Sequence, residues 1–408
     1  MKKNLLLPSR YLSMMLFFGV FPCFMFYGWL RYFVKQLFDF KPVILFSFLG
    51  IPMNYLTAKA VKKQGYPVYV WAISCPKVFA PMKYGFNLED HPLLKRFLIV
   101  GDYLPLFLVS LIKFDIYEFN FNGGLLMYSR LRNIEPLLLK IAGKKVVIYG
   151  YGSDCKVLAD VKKQGKYNNA MDRDGKDEGI NDGIIRGNLR RARKYANILI
   201  AGGDLIHLGP KAIFLPLAID FSFWEYIPLK KKTIVTFIHS TNHRTHKGSR
   251  FIINAFERLK KTKMPVELTL VEGKTVAECK KLYQKGDIFI TDVVTGWHGL
   301  TACEAMFMGR PVISYLRPDI AKFHYYYAKD IPIVSANPVN LKRQIIRLTN
   351  DYNLRKELGR QGREYVQKVH SLETVGKLRT FIYEYIWQGK KINQNIFEKE
   401  VLKRRILV

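Results

Sequence analysis

Short continuous apolar runs recur along this chain, closed by glycine or proline and followed by stretches of helical spacing. Residues 43–49 form one such run, ending at Gly50, and residues 68–73 form another after Gly65 and Pro67. Between them, residues 54–63 carry apolar positions at helical spacing, which predicts strand, helix and strand with the strands buried on both faces. Further strands are expected at 114–121, 145–149, 197–200 and 212–215. The alternation restarts at 233–238 and continues through 266–271, 288–290, 312–315 and 331–334, and beyond Asn337 the pattern is helical. Strands alternating with helices in this way predict an α/β fold of doubly wound sheets.

A length of 408 residues is comfortable for two such domains, each able to bury a core. The expected division is an apolar N-terminal segment (1–40), a first Rossmann-like domain (41–228), a second (229–388) and a basic tail (389–408). The polar stretch 162–183 reads as a loop. Its Asp172-Arg173-Asp174 has no apolar strand leading into it and lacks calcium-loop spacing, so it is read as solvated.

The segment 11–30 contains no charged residue and is about long enough to cross a bilayer core. Arg10 and Arg31 bracket it, so positive charge on both sides leaves its orientation open. Pro22 at its middle suits a kinked span or a hairpin, and a surface-docked helix is the alternative. A net charge of +32 would attract nucleic acid or anionic lipid, or reflect lysine-rich solvated faces. No zinc spacing, RNA-binding signature or helix-turn-helix pattern is present, so an anionic membrane surface is the expected partner and nucleic acid is not. Five scattered cysteines give no disulfide framework and suit a reducing compartment.

Residues 291–318, TDVVTGWHGLTACEAMFMGRPVISYLRP, carry the most chemistry. A strand ends at Ile290, a loop holds Gly296 and Gly299, and a helix opens near Leu300. Free N–H groups at such a helix start attract anionic oxygens. A carboxylate one turn further in, Glu304, can accept hydrogen bonds from a diol such as a ribose. This chemistry suits a nucleotide diphosphate.

The same run resembles the nucleotide-sugar loop of retaining GT-B glycosyltransferases (the group 1, family 4-like type). Trp297-His298-Gly299-Leu300, Glu304-Ala305-Met306 and Gly309-Arg310-Pro311-Val312-Ile313 fit that pattern. The family's first glutamate does not, since Gly296 stands in its place. The resemblance implies two Rossmann-like domains facing across a cleft, with the last helix crossing back onto the first. It implies donor binding by Glu304, by the backbone at Gly299, Leu300 and Thr301, and by His298. No metal or cofactor is expected.

The segment 239–249 resembles the family's loop ending in Lys-Gly. Negative charge grows on the β-phosphate as a nucleoside diphosphate leaves, so cations aimed there lower the barrier. Arg244 can fork onto two oxygens, Lys247 supplies a point charge, and Gly248 admits close backbone approach. His239, His243 and His246 as a metal site is the rival reading. In the first domain, residues 146–154 resemble the family's strand–His-Gly-x-Asp, with Tyr151 where the histidine is expected, followed by Gly152 and Asp154. Gly50 and Asn54, after the first strand, are candidates for the acceptor side. The expected activity is transfer of a sugar from a nucleotide-sugar donor to a lipid-linked or growing saccharide at the cytoplasmic face of a membrane. A catalytically silent homologue is the alternative.

Overall fold

The computed structural model describes residues 2–49, 52–74, 85–152, 154–161, 163, 181–208, 212–323, 327 and 329–407. Gly50 and Asp172-Arg173-Asp174 lie outside them. The first domain opens with helix α1 (Lys2–Leu37), then β1 (Ile44–Leu49), α2 (Pro52–Lys63), β2 (Val68–Ser74) and β3 (Phe86–Asn87). It continues through α3 (Pro92–Val100), α4 (Leu104–Lys113), β4 (Ile116–Asn120), α5 (Glu135–Ile141) and β5 (Lys145–Tyr149). It closes with α6 (Leu158–Val161), α7 (Asp182–Tyr195), β6 (Ile198–Ala201) and β7 (Ala212–Phe214). These strands pair in parallel in the order β3-β2-β1-β4-β5-β6-β7.

The second domain contains β8 (Val235–Ser240), α8 (Arg244–Lys247), α9 (Ser249–Lys261), β9 (Val266–Val271), α10 (Val276–Tyr283) and β10 (Ile288–Ile290). It continues with α11 (Leu300–Phe307), β11 (Val312–Ser314), α12 (Pro318–Phe323) and β12 (Ile333–Ser335). Its sheet is also parallel, in the order β12-β11-β10-β8-β9. The chain ends in α13 (Leu341–Asn350), α14 (Tyr352–Val369), α15 (Leu372–Trp387) and α16 (Gln394–Lys403). The inner strands, rich in Val, Ile and Phe, are buried on both faces because helices cover each side of a parallel sheet, whereas the edge strands β3, β9 and β12 are only partly buried.

Helix α15 returns to the first domain. Gly376 passes so close to α2 that a Cβ there would stand 3.0 Å from the Ala60 carbonyl carbon. On fully buried β4, Glu118 pairs with Arg379 of α15 (2.7 Å) and accepts from the Tyr383 hydroxyl (2.5 Å). The tail is neither free nor irregular: α16 buries Phe397 and Val401, and the Gln394 side chain accepts from the Phe214 amide at 2.9 Å.

Helix α1 departs from the hairpin expectation. It is continuous through Pro22 and lies along the first domain. Arg10 Nε donates to the Ile99 carbonyl (3.2 Å), Phe17 and Phe21 are buried against the domain, and Trp29 Nε1 donates to the Ile141 carbonyl (2.9 Å). Asp115 receives Arg31 and Lys35, each at 2.7 Å, and the Val43 amide at 2.8 Å. Near the helix end, Gln36 donates to the Trp387 carbonyl at 2.9 Å. Residues Ser9–Leu37 are long and apolar enough to cross a membrane. Pinned at so many points, however, the helix sits on the body and turns one face outward. That face carries exposed Tyr11, Met15, Leu16, Phe26, Leu30, Phe33 and Leu37.

Candidate active site

Counted within its own domain, the second sheet has the order 2-1-3-4-5, so the direction of winding reverses between β8 and β10. Ligands of open parallel sheets bind beyond the strand ends at such a reversal. The two loops that leave β8 and β10 are the ones singled out by sequence.

After β10, Asp292 organises the loop. Fully buried, it accepts from the Val294 and Thr295 amides at 3.0 and 2.8 Å and from the Thr295 hydroxyl, an Asx-type turn. Lys247, at the end of α8, reaches the same carboxylate at 3.2 Å. Gly248 then holds φ at 71°, and a Cβ there would stand 2.7 Å from Val293 Cγ2, so close passage of the two loops requires glycine.

Glycine at 296 has a similar cause. Its φ is 101°, and a Cβ would stand 2.6 Å from Arg317 Cγ. The space into which the family's first glutamate would project is therefore filled by Arg317. That side chain is buried, its Nε and Nη2 pair with Asp319 at 3.0 and 2.6 Å, and its Nη1 has no partner.

Gly299 caps α11 with no side-chain bond to the first amides and with open space beside its α-carbon, so the backbone at Leu300 and Thr301 is accessible to a ligand. Glu304 lies one turn further, half-buried, with no side-chain hydrogen bond or ion pair among the described residues. Burial alone pushes its carboxyl up to about 8. A carboxyl partly withdrawn from water and left without a protein partner is suited to a ligand that brings its own donors. His298 is buried, 3.7 Å from Cys303 Sγ, with its ring near that of His370.

Arg244 is placed differently from the expectation of a free fork. It forms a two-pronged pair with Glu272, at 2.8 and 2.7 Å, and a diphosphate would have to draw it away. His239 is buried with both ring nitrogens engaged, by the Ile290 carbonyl (2.8 Å) and the Ser249 hydroxyl (2.7 Å), so its ring is part of the loop's scaffold.

The first domain faces these loops. A Cβ at Gly203, just after β6, would stand 3.2 Å from Trp297 Cδ1. Lys156 pairs with Asp204, and each also feels a charge across the cleft, Asp292 for Lys156 and Lys247 for Asp204. At the end of β5, Asp154 accepts from the Tyr151 and Gly152 amides at 3.2 and 2.9 Å, and burial pushes its carboxyl up to about 6. The Tyr151 hydroxyl receives Asn122 Nδ2 at 3.3 Å. Asn54, in the first turn of α2, is buried, and its Nδ2 has no partner among the described residues. Lys156, Asp204, Asp292 and Arg317 were missed in the sequence. Asp292 had a signal, an aspartate directly after a strand with threonine three positions on, whereas the other three are assembled by the fold.

No family model and no curated protein matches the chain. Solved structures do. Sucrose-phosphate synthase from Thermosynechococcus elongatus is 12% identical over 86% of this chain and 100% of that one, with a TM-score of 0.57. HepE from Anabaena, solved in complex with UDP, is 12% identical over 84% and 99%, with a TM-score of 0.56. The catalytic domain of starch synthase IV from Arabidopsis thaliana, bound to ADP and acarbose, is 11% identical over 85% and 100%, with a TM-score of 0.53. Two parallel Rossmann-like sheets with their loop ends across a cleft, matched over 99–100% of these solved chains, give this chain the GT-B fold.

Proposed function

We propose that the protein is a glycosyltransferase that moves a sugar from a nucleotide-sugar donor to a lipid-linked or growing cell-surface saccharide, with retention, at the cytoplasmic face of a membrane. The observation that carries this reading is the group at the β8/β10 reversal. It comprises the uncapped start of α11, the unpartnered Glu304 and the half-buried Lys247. Together they offer donors for a diphosphate, an acceptor for a ribose diol and a fixed cation for the leaving group. In the retaining step, the acceptor oxygen attacks the anomeric carbon as its bond to the β-phosphate oxygen breaks. The leaving phosphate takes the acceptor's proton, so neither Gly296 nor Tyr151 has to act as a base. Arg317 in the space of the missing glutamate favours a second reading, a catalytically silent homologue that still binds nucleotide.

Membrane attachment follows from the outward face of α1 and the charge of +32. The test is to incubate purified protein with UDP-, GDP- and CMP-sugars and follow donor hydrolysis and transfer. Turnover with one donor, reduced about ten- to a hundredfold in Lys247→Ala, supports the enzyme. Nucleotide binding without turnover would support the silent reading, and no binding of any nucleotide would overturn both.

A further inference from the structure

The first domain carries a second concavity, at the end of β4. Its sheet changes winding direction between β1 and β4, so this too is a place where an open parallel sheet receives a ligand. A cavity of about 260 Å³ opens there, lined in part by Asn120, Asn122, Tyr128, Arg132, Asn188 and Arg191. Asn120, the last residue of β4, is 2% exposed, and among the described residues neither its Nδ2 nor its Oδ1 has a partner. Buried amides in folded proteins are almost always bonded, so a ligand that completes this one has a ready place.

The charge around the cavity is one-sided. Among the described residues neither Arg132 nor Arg191 pairs with a carboxylate, and Arg191 Nη2 donates only to Asn188 Oδ1, at 2.6 Å. Burial, and then repulsion from Arg132 and Arg190, makes the Arg191 guanidinium less basic than usual. Glu135, next to the lining Pro136, is turned to the Gly124 amide, from which it accepts at 2.9 Å, and burial pushes it up to about 7. Two guanidinium forks with no carboxylate partner among the described residues match the oxygens of a phosphate.

Position selects among phosphate compounds. On one side, Asn122 touches the Tyr151 hydroxyl at the cleft floor. On the other, Tyr128 packs beside Tyr103 with ring centres 6.0 Å apart, and the nearby Arg130 guanidinium stands 4.6 Å over the Tyr11 ring of α1. The cavity thus lies between the cleft and the outward apolar face. We propose that it binds the phosphate or pyrophosphate group of a lipid-borne saccharide acceptor, with Arg132 and Arg191 on the phosphate oxygens and Asn120 completing the contact. The inference rests on the glycosyltransferase reading and adds the chemical class of its acceptor.

The test is calorimetric titration of the full chain, in neutral detergent, with geranyl pyrophosphate, inorganic pyrophosphate and UDP. Geranyl pyrophosphate should bind saturably and weaken about ten- to a hundredfold in Arg132→Gln and in Arg191→Gln. UDP affinity should not change in either variant, which also reports that they are folded. The exposed-charge control Lys140→Gln should bind both like the wild type. Weaker binding of inorganic pyrophosphate supports the lipid-borne source, and equal binding overturns it. Unchanged geranyl pyrophosphate affinity in both arginine variants, or displacement by UDP, overturns the site. Wild-type protein that binds UDP but not geranyl pyrophosphate also overturns it while leaving the glycosyltransferase reading intact. Binding of geranyl pyrophosphate without UDP would do the reverse.

Discussion

Replacing Glu304 by glutamine should stabilise the protein and weaken its donor site at the same time. The carboxyl stands at about 8 against an ordinary value of 4.5, with burial as the only cause. Below about pH 4.5 it is protonated in both the folded and unfolded chain and contributes nothing. As the pH rises from there, the unfolded chain releases its proton first, and the fold is penalised increasingly until the folded carboxyl also ionises near pH 8. The full difference corresponds to at most about 5 kcal/mol, and solvent reaching the half-buried group screens this to ~2 kcal/mol. Glutamine removes the penalty. Thermal melts of both proteins from about pH 5 to about pH 9 should show a gap of a few degrees in favour of the variant, opening as the pH rises. Titration with UDP at about pH 9, where the carboxyl is ionised, should show the opposite, a loss of about ten- to a hundredfold from one missing charge-assisted bond. Parallel melting curves across that range would refute the claim that burial raises this carboxyl. Unchanged UDP affinity would refute its place in the donor site.

Gly296→Glu should not restore the family pattern. With φ at 101° and Arg317 in the way, it should cost ~1–3 kcal/mol and lower turnover, and a rise in turnover would contradict that geometry. At Asp115, burial opposes ionisation, but hydrogen bonds from Arg31 and Lys35 outweigh it and hold the carboxyl below its usual value. Its contribution is present above 3.8 and lost as the pH falls through the lowered value, so Asp115→Asn should cost ~3–5 kcal/mol in neutral denaturant melts and progressively less in acid. Phe26→Glu with Phe33→Glu, at positions 73% and 62% exposed, should move the protein from the membrane to the soluble fraction while melting shifts by only about 0.5 kcal/mol each. Retention in the membrane fraction would argue against that face. Dialysis against EDTA should leave donor turnover unchanged, and a loss restored by added magnesium would overturn the metal-free reading.

Much of the architecture was legible because buried parallel strands are written as unbroken apolar runs. Residues 145–149 and 288–290 have the strand limits the apolar runs imply, and the partly exposed edge strand 266–271, which alternates through Glu267 and Thr269, also has its expected limits. The two-residue strand Phe86–Asn87 was missed, since so short an edge strand has no period to read. Helix α8 was expected as loop because a single helical turn leaves no periodic signal. For the site, sequence could point to the loops after β8 and β10, because glycines and a helix start are local features. It could not show that Arg317 fills the space beside Gly296, or that Lys156 and Asp204 meet Lys247 and Asp292 across a cleft. Those neighbours are brought together by tertiary packing between residues far apart in the chain.

The return of α15 and α16 also sets an order of events during synthesis. The first domain's core includes Leu378, Phe381, Ile382, Phe397 and Val401, residues made after both sheets. Until they leave the ribosome, the Glu118 carboxylate lacks Arg379 and Tyr383, and one face of the first sheet lacks its cover. The second domain's sheet and its covering helices, by contrast, are contained within residues 235–369 and can close as soon as that segment emerges. The half of the protein translated first is therefore completed second. Meanwhile α1, which emerges ahead of the rest of the first domain, lacks the Trp387 carbonyl that accepts from Tyr32 and Gln36 in the finished fold. On the membrane-attached reading proposed above, capture of the nascent chain precedes formation of either side of the cleft.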